Sequence, residues 1–178
     1  MALKLAALAL LWGTLAAPAT STPRFDARAV VFVDCGIKSG SAVKVGKDKY
    51  ITAAHVVDSP LPCFVDGVRI TEVKVGVADY ATFTGPASDV KAKISCRAYI
   101  GGDEYLAIGY AFGDPFLNFE PWLASYFSVG DKQMFIGEAI PGMSGGAVLD
   151  RNARVVGIIN QRYPARSIML KDTSVCKK

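Results

Sequence analysis

With 178 residues, 51% of them hydrophobic and 20% charged, the chain can bury a sizeable core in one domain or in two small lobes, and disorder is excluded. The net charge of +4 comes from scattered lysines and arginines with no basic run, so nucleic acid is not an implied partner. A solvated surface accounts for the charge.

The first residues have the pattern of a targeting segment. Lys4 supplies a positive charge, and Leu5 to Ala17 is apolar apart from Gly13 and Thr14. That run is too short for a stable membrane span. Ala17-Pro18-Ala19 places small residues where a signal peptidase cuts, so residues 1–19 match a secretory signal peptide and 20–178 the mature chain. Secretion or export to the periplasm follows, the alternative being an apolar segment from a viral or phage polyprotein.

After a polar stretch to Arg28, short strands follow one another. Ala29–Val33 is β-branched and apolar, Ser41–Val45 alternates, and Gly46-Lys47-Asp48-Lys49 turns the chain into Tyr50-Ile51-Thr52. Asp66-Gly67 is a turn pair. Arg69–Val77 alternates, with Ile70, Val73, Val75 and Val77 apolar, and Asp79–Phe83 is a strand that opens on an acid. Thr84–Ser88 connects to a second set of strands beginning near Val90. That set includes Tyr105–Tyr110, Trp122–Val129, Val155–Ile159 and Ser167–Leu170. Seventeen glycines and nine prolines punctuate these strands, and helix signals are nearly absent. The pattern predicts an all-β protein of barrels or sandwiches.

Cys35, Cys63, Cys96 and Cys176 are widely spaced, without a Cys-x-x-Cys pair, and there is one histidine. A metal site is not expected, nor any cofactor. Four cysteines behind a signal peptide permit two disulfides in three connectivities; buried free thiols are the alternative in a reducing compartment.

The stretch Pro141-Gly142-Met143-Ser144-Gly145-Gly146 sets a serine among glycines ahead of the apolar run Ala147-Val148-Leu149. Glycines allow a tight turn and close approach of a substrate to the main chain. The N–H groups of Gly142 and Ser144 can then converge on a developing oxyanion. A glycine-rich turn in any β-protein would satisfy the same letters, and chain order decides between them. The sole histidine, His55, precedes Ser144, whereas the α/β-hydrolase elbow needs its histidine after the serine and alternating helices. A subtilisin-like order would need Asp26 or Asp34 as the acid, on an α/β sheet that the pattern does not show. The order His, acid, Ser on an all-β scaffold remains.

Those stretches resemble the trypsin-like serine proteases. Thr52-Ala53-Ala54-His55 is similar to their histidine motif, Gly142–Gly146 to their serine motif, and Asp79–Phe83 to their acid followed by an apolar strand. Tyr105–Gly113 resembles a segment of bacterial high-temperature-requirement proteases, and Val155–Asn160 the strand lining the substrate cleft. The resemblance implies two antiparallel six-stranded β-barrels, about residues 29–88 and 89–175, with the active site between them. It implies His55 as general base, Asp79 as its orienting acid, Ser144 as nucleophile, and the N–H groups of Gly142 and Ser144 as oxyanion hole. Ile159 and Asn160 would line the substrate site. Glu138, six positions before Ser144, would sit in the primary pocket and favour Lys or Arg before the scissile bond; Ala139 and Ile140 could instead form a small apolar pocket.

The chain also departs from the family. Met143 stands where digestive trypsins carry an aspartate that pairs with a new N-terminus, so activation of that kind is not expected. The cysteines do not match the usual bridge around the histidine, so any bridges would be this chain's own. Asp66 and Asp89 also lie between His55 and Ser144, but Asp66 fits a turn and Asp89 a loop. Two functional classes result: a serine endopeptidase acting on protein or peptide, and a catalytically silent relative that binds partners through the same cleft.

Overall fold

The computed structural model describes residues 24–76, 79–95, 103–112, 117–129, 132–136, 140–163 and 166–170. Within them a short 3-10 turn, Ala27–Ala29, leads into β1 (Val30–Asp34), β2 (Ser39–Lys44) and β3 (Lys49–Ala53). A single helical turn, α1 (Ala54–Val57), follows, then β4 (Phe64–Val65), β5 (Val68–Arg69), β6 (Thr71–Val75) and β7 (Tyr80–Thr84). The second set is β8 (Glu104–Tyr110), β9 (Leu117–Val129), β10 (Lys132–Ile136), β11 (Ala147–Leu149), β12 (Val155–Tyr163) and β13 (Arg166–Leu170).

The two sets make two sheets. The first has seven strands in the order β5-β4-β1-β2-β3-β7-β6; the second is a closed barrel, β10-β13-β12-β11-β8-β9. The all-β architecture agrees with the sequence, while the expected pair of six-stranded barrels is met only in the second lobe. The terminal strands of the first sheet, β5 and β6, are consecutive in the chain, separated by Ile70. That lobe therefore closes through a bend in the chain rather than through a hydrogen-bonded seam.

The Arg69–Val77 alternation does not produce the single half-buried strand expected. β6 is exposed along its length, with Val73 43% and Val75 65% accessible. Glu72 has φ 50° where the register with β7 shifts between Thr71 and Lys74. A bulge on an edge strand twists it away from the core and breaks the alternation. Asp66 (φ 50°) and Gly67 (φ 75°) form the β4–β5 hairpin turn, which needs two residues of positive φ.

Each lobe has its own core: Val33, Tyr50, Val56 and Phe83 in the first, Tyr105, Met143, Val156 and Ile159 in the second. A third cluster joins them, bringing Val30, Val43 and Ile51 against Ile108, Leu149, Val155 and Ile158. The connecting run is bonded to both lobes, since Ala92 N–H donates to Lys44 O (2.8 Å) and Ser95 N–H to Val155 O (2.8 Å). The lobes are thus packed as one body.

Candidate active site

His55 lies on α1, a four-residue turn too short to satisfy its own N-terminal N–H groups, and Ala53 provides no side-chain cap. Asp79 supplies the missing acceptors from the β6–β7 connection. Its carbonyl accepts from Ala54 N–H (3.0 Å), and its Oδ1 accepts from His55 N–H (2.8 Å). Its other oxygen, Oδ2, lies 2.6 Å from His55 Nδ1. Asp79 has φ 58°, a conformation in which aspartate is more at ease than most residues. Carbonyl and carboxylate can then both face the helical turn. Asn160, on β12 of the other lobe, adds a fourth bond, from Nδ2 to Asp79 O (3.1 Å).

The turn bearing His55 is also held from its far side. Cys35, just past β1, is bridged to Cys63, before β4. Lys38 Nζ donates to Asp58 O (2.6 Å), where α1 ends. The bridge settles one of the pairings left open by the sequence. It does bracket His55 in the chain, at wide spacing.

Ser144 sits between β10 and β11, on a loop whose peptides are each fixed. Pro141 O accepts from Phe112 N–H (2.6 Å) and Met143 O from Gly146 N–H (2.9 Å). In a trans peptide the N–H points opposite to the C=O. The N–H groups of Gly142 and Ser144 are therefore directed to the other side of the loop from those partners. Gly145 N–H donates to Ile159 O (2.6 Å), and Ile159 N–H to Gly146 O (2.9 Å), tying the loop to β12. Gly145 has φ 83°, and a Cβ there would collide with Ser41 O and Thr52 Oγ1. Only glycine permits this approach between lobes.

The serine loop meets the first lobe through β2. Ser41 N–H donates to Ser144 O (2.7 Å), and Ser41 Oγ donates to Gly142 O (3.1 Å). Among the described residues no hydrogen bond joins Ser144 Oγ to the His55 ring. In unliganded sites such bonds are often long and tighten with substrate.

The structure thus brings His55 and Asp79 together in the first lobe and seats the Ser144 loop on that lobe through Ser41. Asp66 is in its hairpin turn and Asp89 is exposed in the connection; no bond joins either to His55. Ile159 and Asn160, expected to line the cleft, are 2% and 3% accessible. What they touch is the serine loop and Asp79. Glu138 and Ala139 lie outside the described residues, as do residues 1–19, Cys96 and Cys176. Ser41 had no place in the motif reading, whereas Thr52 and Phe112 fell inside motif stretches without a role of their own. The one sequence signal for Ser41 is the run of small residues Ser39-Gly40-Ser41-Ala42 in a strand, a mark of close backbone approach. No group of three or more metal-ligating side chains occurs among the described residues. No helix among them is long and apolar enough to cross a membrane.

No family model matches the chain, and no curated protein sequence does. Solved structures do. The chain is similar to Rv3671c from M. tuberculosis H37Rv, in the inactive form of a serine-to-alanine mutant. The TM-score is 0.74 at 18% identity, covering 84% of each chain. The active form of the same protease gives 0.70 at 19% identity, over 83% of this chain and 78% of that one. The serine endoprotease from Yersinia pestis gives 0.70 at 20% identity, over 84% of this chain and 60% of that one. At these identities the likeness is one of fold, and the fold is that of trypsin-like serine proteases.

Proposed function

We propose that the chain is a serine endopeptidase that cleaves peptide bonds through an acyl-enzyme intermediate. The observation that supports it most is the double hold of Asp79 on His55, at the backbone N–H (2.8 Å) and at Nδ1 (2.6 Å). With Nδ1 occupied by a carboxylate, Nε2 is the nitrogen left to exchange a proton. Asp79 also stabilises the imidazolium as it forms.

In this reading Ser144 Oγ attacks the substrate carbonyl carbon and its proton passes to His55 Nε2. The carbonyl π electrons move to oxygen, where the N–H groups of Gly142 and Ser144 stabilise the charge. The C–N bond then breaks, and His55 returns the proton to the leaving amine. Water, deprotonated by His55, hydrolyses the ester and frees Ser144. No metal or cofactor takes part.

The substrate is a protein or peptide segment extended between the lobes. Glu138 would give the primary pocket a preference for Lys or Arg before the scissile bond, because a partly desolvated carboxylate attracts cations and rejects acids. Export from the cytoplasm accords with the leader-like residues 1–19 and with the Cys35–Cys63 bridge, since disulfides persist in oxidising compartments.

A fluorophosphonate probe tests the reading. An activated serine displaces fluoride and becomes covalently phosphonylated, so the wild type should label within minutes and Ser144→Ala should not label. A folded wild type that stays unlabelled, and hydrolyses nothing in a peptide library, would favour the silent binding module.

A further inference from the structure

Ser41 is a fully buried hydroxyl residue at the contact between the lobes, and the mechanism above gives it no task. All of its polar groups are engaged. Its N–H donates to Ser144 O (2.7 Å), and its carbonyl accepts from Thr52 Oγ1 (2.7 Å). Its Oγ accepts from Tyr110 N–H (2.8 Å), at the end of β8, and donates to Gly142 O (3.1 Å). A serine hydroxyl has one hydrogen, so this pair of bonds fixes its direction.

The carbonyl it holds is a critical one. The peptides carrying the Gly142 and Ser144 N–H groups are anchored by Phe112 and Gly146, but Gly142 lies between them at φ 95°. Glycine is the freest residue to rotate, so Gly142 is the soft joint between the two donors. The Ser41 hydroxyl and the Met143 N–H bond to Ile140 O (3.1 Å) brace the Gly142–Met143 peptide from either end.

We propose that Ser41 is a positioning residue: its hydroxyl clamps the Gly142 carbonyl and so sets the relative aim of the two oxyanion donors. The proposal rests on the endopeptidase reading. Because Ser41 belongs to β2, the same clamp aligns the donors with the lobe that carries His55. Donors pre-aimed at the oxyanion act in the transition state more than in the ground state, so kcat should carry the effect.

The test pairs a cleavable peptide from a library profile with a peptide aldehyde of the same sequence. Ser144 Oγ adds to the aldehyde carbon, its proton goes to His55, and the resulting oxygen occupies the oxyanion position. Ser41→Ala should lower kcat about 10- to 100-fold, less than the roughly 100- to 1000-fold loss on removing an oxyanion donor outright, with KM little changed. Aldehyde affinity should fall by a similar factor. Ser41→Cys keeps the shape while weakening both bonds, and should give an intermediate loss if the alanine variant folds poorly. Val33→Ala, a cavity in the first-lobe core, should lose stability and keep kcat. Ser41 variants that lose stability as Val33→Ala does, yet retain kcat and aldehyde affinity, would overturn the proposal. A wild type that cleaves no peptide would overturn the endopeptidase reading with it.

Discussion

The two lobes hold the residues of the proposed mechanism by different means. In the first, side chains and a covalent bridge do the holding: one carboxylate grips His55 at two atoms, and Cys35–Cys63 spans the turn that carries it. In the second, Ser144 rides on a glycine-rich loop fixed by main-chain bonds to β12, to Phe112 and to itself. The second lobe is a barrel closed by hydrogen-bonded strands; the first is a seven-stranded sheet that closes only through the chain bend at Ile70 between its end strands. A hydrogen-bonded barrel satisfies its own edges, whereas a sheet without such a seam depends on additional ties. A single side-chain change should therefore disturb the first lobe's geometry readily. The loop of the second should yield mainly to changes at its glycines or at Ser41.

The largest effects should come from removing the two groups that the proposed mechanism uses for proton transfer and attack. Ser144→Ala and His55→Ala should each lower kcat/KM by roughly five to six orders of magnitude with the fold retained, and the double variant should be little worse. Wild-type turnover in either would end the protease reading. Next in size is Asp79→Asn, which can no longer hold the right imidazole tautomer and should cost about ten-thousand-fold in kcat. Asp66→Asn and Asp89→Asn are the comparison, and either of them being crippled instead would move the acid elsewhere. Asn160→Ala tests the tie between lobes: it removes the donor to Asp79 O (3.1 Å), which should lower kcat about tenfold and stability by about 1 to 3 kcal/mol. An unchanged kcat would mean that Ala54 N–H suffices to hold the Asp79 carbonyl without Asn160.

How much of this was legible in the sequence follows the same division. Order and local motif marked His55, Asp79 and Ser144 as candidates, and the structure adds the close pairing of His55 with Asp79. The all-β class was visible in short β-branched runs between glycines. The exposed course of β6 was not, because a bulge at Glu72 leaves no mark in an alternating pattern. Short pairings such as β4 and β10 were missed for a related reason, since Phe64–Val65 and Lys132–Ile136 carry little periodic signal. Asn160 and Ile159 were placed at the cleft from the motif, and the structure shows both buried, Ile159 bonded to the serine loop and Asn160 to Asp79 O. Ser41 was invisible because its partners, Gly142 and Tyr110, are distant in sequence and bonded through main-chain atoms.

The bridge offers the next way to sharpen the contrast. Cys35 and Cys63 are 28 residues apart, and closing a loop of that length restricts the unfolded chain by about 3 to 4 kcal/mol. Replacing both with serine should lower stability by that order in denaturant unfolding. Hydrogen exchange should show the extra opening in the first lobe, with β8 and β11 protected as before. Equal loss of protection in both lobes would mean that the shared cluster of Val30, Val43, Ile108 and Val155 makes them unfold together.

The last effect should appear only in alkali, and it too belongs to the first lobe. Tyr50 is fully buried, stacked on Phe83 across β3 and β7 with ring centroids 5.0 Å apart. Its phenol donates to Pro86 O (2.6 Å), a bond that only the protonated form can make. Burial, with smaller contributions from Asp66 and Asp48, pushes this phenol up to about 12. In the unfolded chain a tyrosine titrates near 10. Below about pH 10 both states hold the proton and the stabilisation is fully present. Above it the unfolded chain releases the proton while the native state keeps it, so stability falls until the native phenol ionises near 12. Two pH units correspond to about 2 to 3 kcal/mol lost across that window. Tyr50→Phe should start about 1 kcal/mol less stable, having lost the bond to Pro86, but should decline less steeply. Tyr110, also raised mainly by burial, contributes to the slope that remains. Urea unfolding of both proteins from pH 9 to 12 measures the difference. Parallel curves would show that the phenol becomes accessible before the fold is lost, and that the first lobe opens locally around β3 and β7.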